Sequence, residues 1–373
     1  MNILFVSYGE LSLGKGALRS FCMIRTLAEA GHRIDIVAAR VEFPEHPNVR
    51  VLSGDGAAPL SKPRIRLAAL RASGRQTYDC MHAVDDAVVF VSRVVRFRKS
   101  KLIYDASRCF TGSVGSEPSV LYKLFPRHFR QLEKKILTQA AAVLVPCPVL
   151  KSDLRNLERN AAIVQIEDVP AQSLFAGYQI ERATLMERFE GVASSWVVCS
   201  ILPGNAKELR KLLVAARKVI ETVPDAAFFF KGDLVEEAEK LAANLDIRGR
   251  CSFLAADETA EFLAALELAD AAMLMPQSAS RYIHHEVFTL LHSPAPLVAI
   301  QCSAYEKILT DRNSIPVLPS SESISEGLLR ALQEPLFSLG IALEGQQLVA
   351  GKFTFSSFKH KLRMAYHEAL KKK

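Results

Sequence analysis

The sequence predicts an α/β protein built from two Rossmann-like, doubly wound parallel-sheet domains facing each other across a cleft. Three observations carry this prediction. At 373 residues the chain is long for a single hydrophobic core. Its first part alternates short apolar strands with helical segments, and the same alternation restarts at Trp196.

Ile3 to Val6 reads as a first strand and is followed by a loop bearing Gly9, Gly14 and Gly16. Ala17 to Ala30 then places Phe21, Ile24 and Leu27 at helical spacing, and Gly31-His32 ends that helix. Arg33 to Ala38 alternates as a second strand, which completes a βαβ unit and makes the sheet parallel. Apolar runs at Cys80–Ala83, Leu102–Tyr104, Val143–Val145 and Ile163–Ile166 extend the sheet, with a helix over Leu121 to Ala140, so the first domain spans 1–175.

The second domain, over 190–350, reads as strand Val197–Ile201, helix Glu208–Val223, and strand Ala226–Phe230 running into Gly232-Asp233. Helix Glu236–Leu245, strand Cys251–Leu254, helix Thr259–Leu268, strand Ala271–Met275, a helix around Phe288–Leu291 and strand Leu297–Ile300 follow. Sheets of this kind bind ligands at the carboxyl ends of their strands.

Hydrophobic residues make up 49% of the chain and charged residues 23%, a globular balance. The seven cysteines are scattered and form neither a CxxC pair nor a ligand cluster, which fits a reducing cytoplasm and argues against a metal site. No apolar run reaches the roughly 18 to 20 residues of a membrane span. The formal charge of +7 gathers at Arg93–Lys101, Lys123–Lys135 and the last three lysines. These runs hold too few aromatics for stacking on nucleic acid, so no nucleic-acid partner is expected. From Gly9 to Lys15 the spacing matches GxxxxGK, but Gly16 stands where a magnesium-binding Ser or Thr is needed, which excludes a P-loop.

The order of several segments resembles the retaining, nucleotide-sugar-dependent glycosyltransferases of the GT-B fold, often called family four. The opening MNILFVSYGELSLGKGALRS resembles that family's first strand and acceptor-side glycine loop; PDAAFFFKGD and RCSFLAADETAEFLAALELADAAMLMPQ resemble its donor domain. SPAPLVAIQCSAYEKIL resembles the segment with its later glutamate, at Glu306, and FTFSSFKHKLRMAYHEAL, within 351–373, its terminal helix crossing back to the first domain.

The resemblance implies transfer of a hexose from a nucleotide diphosphate sugar, with retention, to a saccharide or lipid-linked acceptor in cell-surface polysaccharide or glycoconjugate synthesis. The nucleotide sugar is a co-substrate; no cofactor and no metal is expected, because cations and helix N-termini can meet the departing phosphates. Lys207 matches the family's phosphate-facing lysine, while its arginine position falls near Leu202. Gly232 and Asp233 occupy the donor-side turn. The two glutamates that hold sugar and ribose are replaced by Arg281 and Thr289, with Glu286 between them. Arg281 could instead meet a phosphate or an acidic sugar. His82 keeps one histidine position, as a catalytic or sugar-contacting group, whereas Ser107 and Arg108 stand where another histidine and an acid are common. Gly14, Lys15 and Gly16 form the acceptor-side loop, and the linker reads Asp168-Val169-Pro170-Ala171.

The basic helix of the first domain implies weak peripheral contact with an anionic membrane, hence a cytoplasmic protein at the membrane's inner face. The loss of both donor carboxylates keeps a second reading open, a catalytically silent glycosyltransferase-like binding subunit.

Overall fold

The computed structural model describes residues 1–12, 17–53, 59–109, 124–175, 184, 187, 196–275, 282–283, 285–303 and 305–371. They divide into two units: Met1–Asp168 together with Phe355–Lys373, and Val169–Thr354.

Unit 1 holds a seven-stranded parallel sheet of β1 (Asn2–Val6), β2 (Arg33–Val37), β3 (Val49–Val51), β4 (Cys80–Val84), β5 (Lys101–Asp105), β6 (Ala142–Val145) and β7 (Ile163–Gln165). Their order is β3-β2-β1-β4-β5-β6-β7, so the direction of winding reverses between β1 and β4. Four of the strands end in runs of fully buried residues, the mark of a sheet covered on both faces. α1 (Leu18–Glu29) follows β1 and stops at Gly31, whose φ of +80° suits a residue without a Cβ. Crossovers of parallel strands are right-handed, so α1 covers one face. α2 (Lys62–Arg75), α3 (Ala87–Arg98), α4 (Pro126–Gln139) and α5 (Pro148–Leu157), wound in the opposite direction, cover the other. The terminal helix, Phe355–Lys371, packs beside α1 and buries Phe358, Leu362, Ala365, Tyr366 and Ala369, one stripe at helical spacing.

Unit 2 repeats the plan with six parallel strands: β8 (Trp196–Ile201), β9 (Ala226–Gly232), β10 (Cys251–Ala255), β11 (Ala271–Leu274), β12 (Leu297–Ile300) and β13 (Ile315–Val317). The order is β10-β9-β8-β11-β12-β13, with its reversal between β8 and β11. α6 (Ala206–Thr222) and α7 (Val235–Asn244) lie on one face, and α8 (Thr259–Glu267) and α9 (Glu286–His292) on the other. α10 (Ser321–Gln333) joins α6, and α11 (Pro335–Lys352) packs on α9. The main core lies under α6, α7 and α10 and includes Val198, Leu212, Phe228, Phe230, Met273 and Ile324. Among the described residues, no helix is long and apolar enough to cross a membrane.

Candidate functional site

In unit 2 the candidate site is the carboxyl edge of the sheet around its winding reversal, where the strand ends leave a crevice in such folds. Side chains alternate along β9, so Ala226, Phe228 and Phe230 enter the main core while Ala227, Phe229 and Lys231 face α8 and α9. Lys231 is the last side chain on that face. It is half-buried, and desolvation pulls its ammonium pKa down against the opposing pull of Glu286, Asp233 and Asp257. Glu286 opens α9 across the reversal, with an oxygen 3.5 Å from His285 Nδ1. Tyr305, which follows β12, is 3% exposed; burial raises its phenol pKa, and the charge of Glu286 raises it further. Tyr305, Glu306, Thr310 and Asp311 line a cavity of about 670 Å³ between the carboxyl end of β12 and the start of β13.

The loop after β8 is tied to the end of β9, since Leu202 N donates to Lys231 O at 2.7 Å. This closeness explains Gly232: a Cβ there would lie 2.7 Å from Leu202 Cβ. Lys207 is exposed in the first turn of α6, which Asn205 caps by accepting from Glu208 N at 2.9 Å. A cation in that turn opposes the helix macrodipole, so Lys207 is not there to stabilise the helix. Asp233 is exposed just past Gly232. Thr289 is buried and engaged by the segment that follows Asp168: Ala171 N donates to its Oγ1 at 3.0 Å and Gln172 Nε2 donates to its carbonyl at 3.1 Å.

The carboxyl edge of unit 1 is organised differently. Arg19, in the first turn of α1, donates to Asp105 at 3.0 Å, to Asp168 at 2.7 Å and to Ile166 O at 2.7 Å. The two carboxylates hold its guanidinium charged, while burial lifts Asp105 to about 6 against the counter-pull of Arg19. Beside them Asp85 takes a left-handed φ of +44°, a conformation that aspartate reaches more readily than most residues. Its carboxylate accepts from Ser107 N at 2.8 Å and Ser107 Oγ at 2.9 Å, and Asp86 pairs with Arg108 at 3.3 Å. The positions read as a lost histidine and acid are therefore part of a hydrogen-bonded layer.

His82 lies in the interior of unit 1 with no exposed surface, stacked on Phe5 at 4.4 Å and 2.6 Å from the Tyr366 hydroxyl through Nδ1. Desolvation, helped by Arg19, drives its pKa down to about 3, so the ring is neutral at ordinary pH. His82, expected as a catalytic or sugar-contacting group, is enclosed here, and its ring links the terminal helix to β4. Gly14, Lys15, Gly16 and Arg281 lie outside the described residues. Six cysteines are buried and Cys302 is half-buried, all as free thiols. Among the described residues no three His, Cys, Asp or Glu side chains come together as a metal cage.

Sequence reasoning had not singled out Lys231, Asp105 or Tyr305. The signal for Lys231 was available, because a lysine that ends an apolar run and precedes a glycine turn stands at a strand's carboxyl end.

No protein-family model matches the sequence, and the curated proteins contain no match to it. Solved structures do match by fold. Sucrose-phosphate synthase from Thermosynechococcus elongatus superposes with a TM-score of 0.72 at 15% identity, over 98% of both chains. HepE of Anabaena in complex with UDP-glucose gives 0.71 at 15% identity, over 98% of this chain and 99% of that one. WaaG, a glycosyltransferase involved in lipopolysaccharide biosynthesis, gives 0.73 at 14% identity, over 97% and 99%. Two parallel-sheet α/β units, in a chain matched along its length by these structures, give this protein the fold of the GT-B glycosyltransferases.

Proposed function

We propose that this protein transfers a glycosyl group from a nucleotide diphosphate sugar bound at the carboxyl edge of unit 2. The observation that carries the reading is the group formed there by Lys231, Glu286 and Tyr305 beside a cavity of about 670 Å³. It offers a cation for phosphate and a carboxylate for sugar hydroxyls, the two chemistries such a donor presents. A structural neighbour holding UDP-glucose supports the choice of ligand. Within this reading the transferred group is a hexose, configuration is retained, and Lys207 steadies the leaving diphosphate without a metal.

The acceptor is a saccharide or a lipid-linked saccharide, in the making of a cell-surface polysaccharide or glycoconjugate, and unit 1 works at an anionic membrane face in the cytoplasm. The support is the outer helical layer of unit 1. α2 exposes Lys62, Arg64, Arg66, Arg71 and Arg75, α3 exposes Arg93, Arg96 and Arg98, and α4 exposes Arg127, Arg130, Lys134 and Lys135. These three helices contain a single acid, Glu133, which is buried. Leu67, Leu70, Phe97 and Phe125 are exposed among them.

Calorimetric titration with UDP, GDP and their sugar conjugates, followed by product analysis, tests the enzymatic reading. Micromolar binding of one nucleotide, weakened in Lys207→Ala, is the expected result. Binding of none would leave the silent subunit, and a donor returned with an inverted sugar centre would indicate an epimerase.

A further inference from the structure

The ammonium of Lys231 is a half-buried charge of unit 2 that no carboxylate among the described residues meets at ion-pair distance. Among the described residues it has no hydrogen-bond acceptor within 3.5 Å and no carboxylate within 4.0 Å, although three carboxylates influence it from further away. Several cations of this unit are paired at short range, among them Lys211 with Glu208 at 2.8 Å, Lys218 with Glu322 at 2.6 Å and Arg248 with Glu239 at 2.7 Å. Those pairs lie on exposed or half-exposed helix surface, where a lone lysine would be solvated at no cost. Lys231 is instead half-buried at a strand end, where desolvation disfavours its charge. A sequence under selection for stability alone would continue the run of Phe228, Phe229 and Phe230 with another apolar residue.

The position of the lysine indicates what it serves. Ile201 and Lys231 are paired in the β8–β9 register, and the Leu202 backbone is bonded to the Lys231 carbonyl, so the ammonium belongs to the same edge as the loop after β8. Lys207 follows on that loop's helix. Leu202 itself brings no charge, and Gly232 leaves room only for the Leu202 side chain. Glu286 and Tyr305 come from the far side of the winding reversal. A ligand seated over the reversal would thus meet Lys231 from one side and Glu286 with Tyr305 from the other.

We propose that Lys231 is a specificity-determining residue that contacts the diphosphate of a nucleoside diphosphate ligand, supplying from β9 the second cation that the uncharged loop at Leu202 does not. The inference rests on the donor-site reading above and adds to it the group that selects diphosphate over uncharged nucleoside. No covalent step is assigned to the lysine. It binds and orients, and the depressed ammonium pKa ties its contribution to the protonated form, so binding weakens at a lower pH than an ordinary lysine would require.

The test titrates the full chain, as wild type and as Lys231→Met, with UDP, GDP and the matching nucleosides, alongside thermal unfolding of both proteins. Lys231→Met is expected to lose affinity for the diphosphate by about ten- to a hundredfold, the scale of one lost hydrogen bond to a charged group, with nucleoside binding unchanged. Its unfolding midpoint should stay level or rise, because a desolvated charge has been replaced by an apolar side chain of similar length. Lys231→Gln serves as the second variant if the methionine form does not fold. Wild-type binding of a diphosphate that survives both substitutions would overturn this proposal and leave the donor-site reading standing. Absence of diphosphate binding by the wild type would overturn both. A fall in stability with unaltered affinity would assign Lys231 to packing and also overturn it.

Discussion

The two units share a winding order but handle charge in opposite ways. Unit 1 neutralises charge inside, where Arg19 is fixed between Asp105 and Asp168, and leaves the outer faces of α2, α3 and α4 basic. Unit 2 pairs charge outside, as in Arg217–Glu221, Lys218–Glu322 and Arg330–Glu334, and leaves the half-buried Lys231 with no carboxylate at ion-pair distance among the described residues. Exposed pairs contribute little to stability, so the outer pairs of unit 2 chiefly keep that surface neutral. In the proposed reading, the exposed cations of unit 1 serve a broad anionic surface and Lys231 a small anion at the edge of unit 2.

Three experiments would break or sharpen this contrast. The largest effect is expected from Arg19→Met. Removing the guanidinium strands two buried carboxylates, and the loss should be about 3 to 5 kcal/mol, read from urea unfolding. A loss below about 1 kcal/mol would mean that water reaches the cluster, and the picture of an internally neutralised unit 1 would fail.

The second is a pH effect. His82 has a folded-state pKa of about 3 against an ordinary 6.5, so below pH 6.5 the unfolded chain takes up a proton that the folded chain refuses. Stability is present in full above 6.5 and is lost as the pH falls, by at most about 1.4 kcal/mol per pH unit. Asp105 acts in the opposite sense: with a folded pKa of about 6 against 3.8, its ionisation costs stability as the pH rises through that interval. The two contributions oppose each other where their titrations overlap, around pH 6 and below. Subtracting the stability profile of His82→Phe from that of wild type should isolate a slope beginning at 6.5. Parallel profiles would show that the ring is hydrated in solution.

The smallest effect concerns the outer layer of unit 1. Replacing Arg64, Arg71 or Lys135 singly by Gln should weaken partitioning onto anionic vesicles by about fivefold each, equivalent to about 1 kcal/mol per cation, and the loss should vanish in high salt. Equal partitioning of wild type and variants would remove the membrane from the functional reading and leave the basic face as solvated surface.

The legible part of the fold was the part governed by local pattern. Trp196 marked the restart, Gly31 the end of α1, and the apolar runs the strands other than β3 and β13, because a covered parallel strand is a continuous hydrophobic run, which the exposed β3 is not. α2 and α3 were harder to read: dense arginines interrupt an apolar stripe that is only Ile65, Ala69 and Ala72 wide in α2. α11 has apolar residues around most of its circumference, with Leu336, Leu339 and Leu343 exposed, so no single face signals its packing. The helix expected over 121–140 is described from Pro126, and the one expected over 288–291 runs from Glu286 to His292. Among site residues, Lys207 could be placed at a helix start from its neighbours. The partners of Arg19, 86 and 149 positions away, and of His82, 284 positions away, depend on topology that no local window contains.

That last separation bears on how the protein is made. Unit 2 is one uninterrupted stretch, Val169–Thr354, whereas unit 1 includes Phe355–Lys373. A chain emerging from the ribosome completes the contiguous unit while the earlier one still lacks its last helix, with His82 and the flank of α1 uncovered until Tyr366 arrives. The first half synthesised is thus the last to be finished, and during that interval its apolar seam is open to a chaperone.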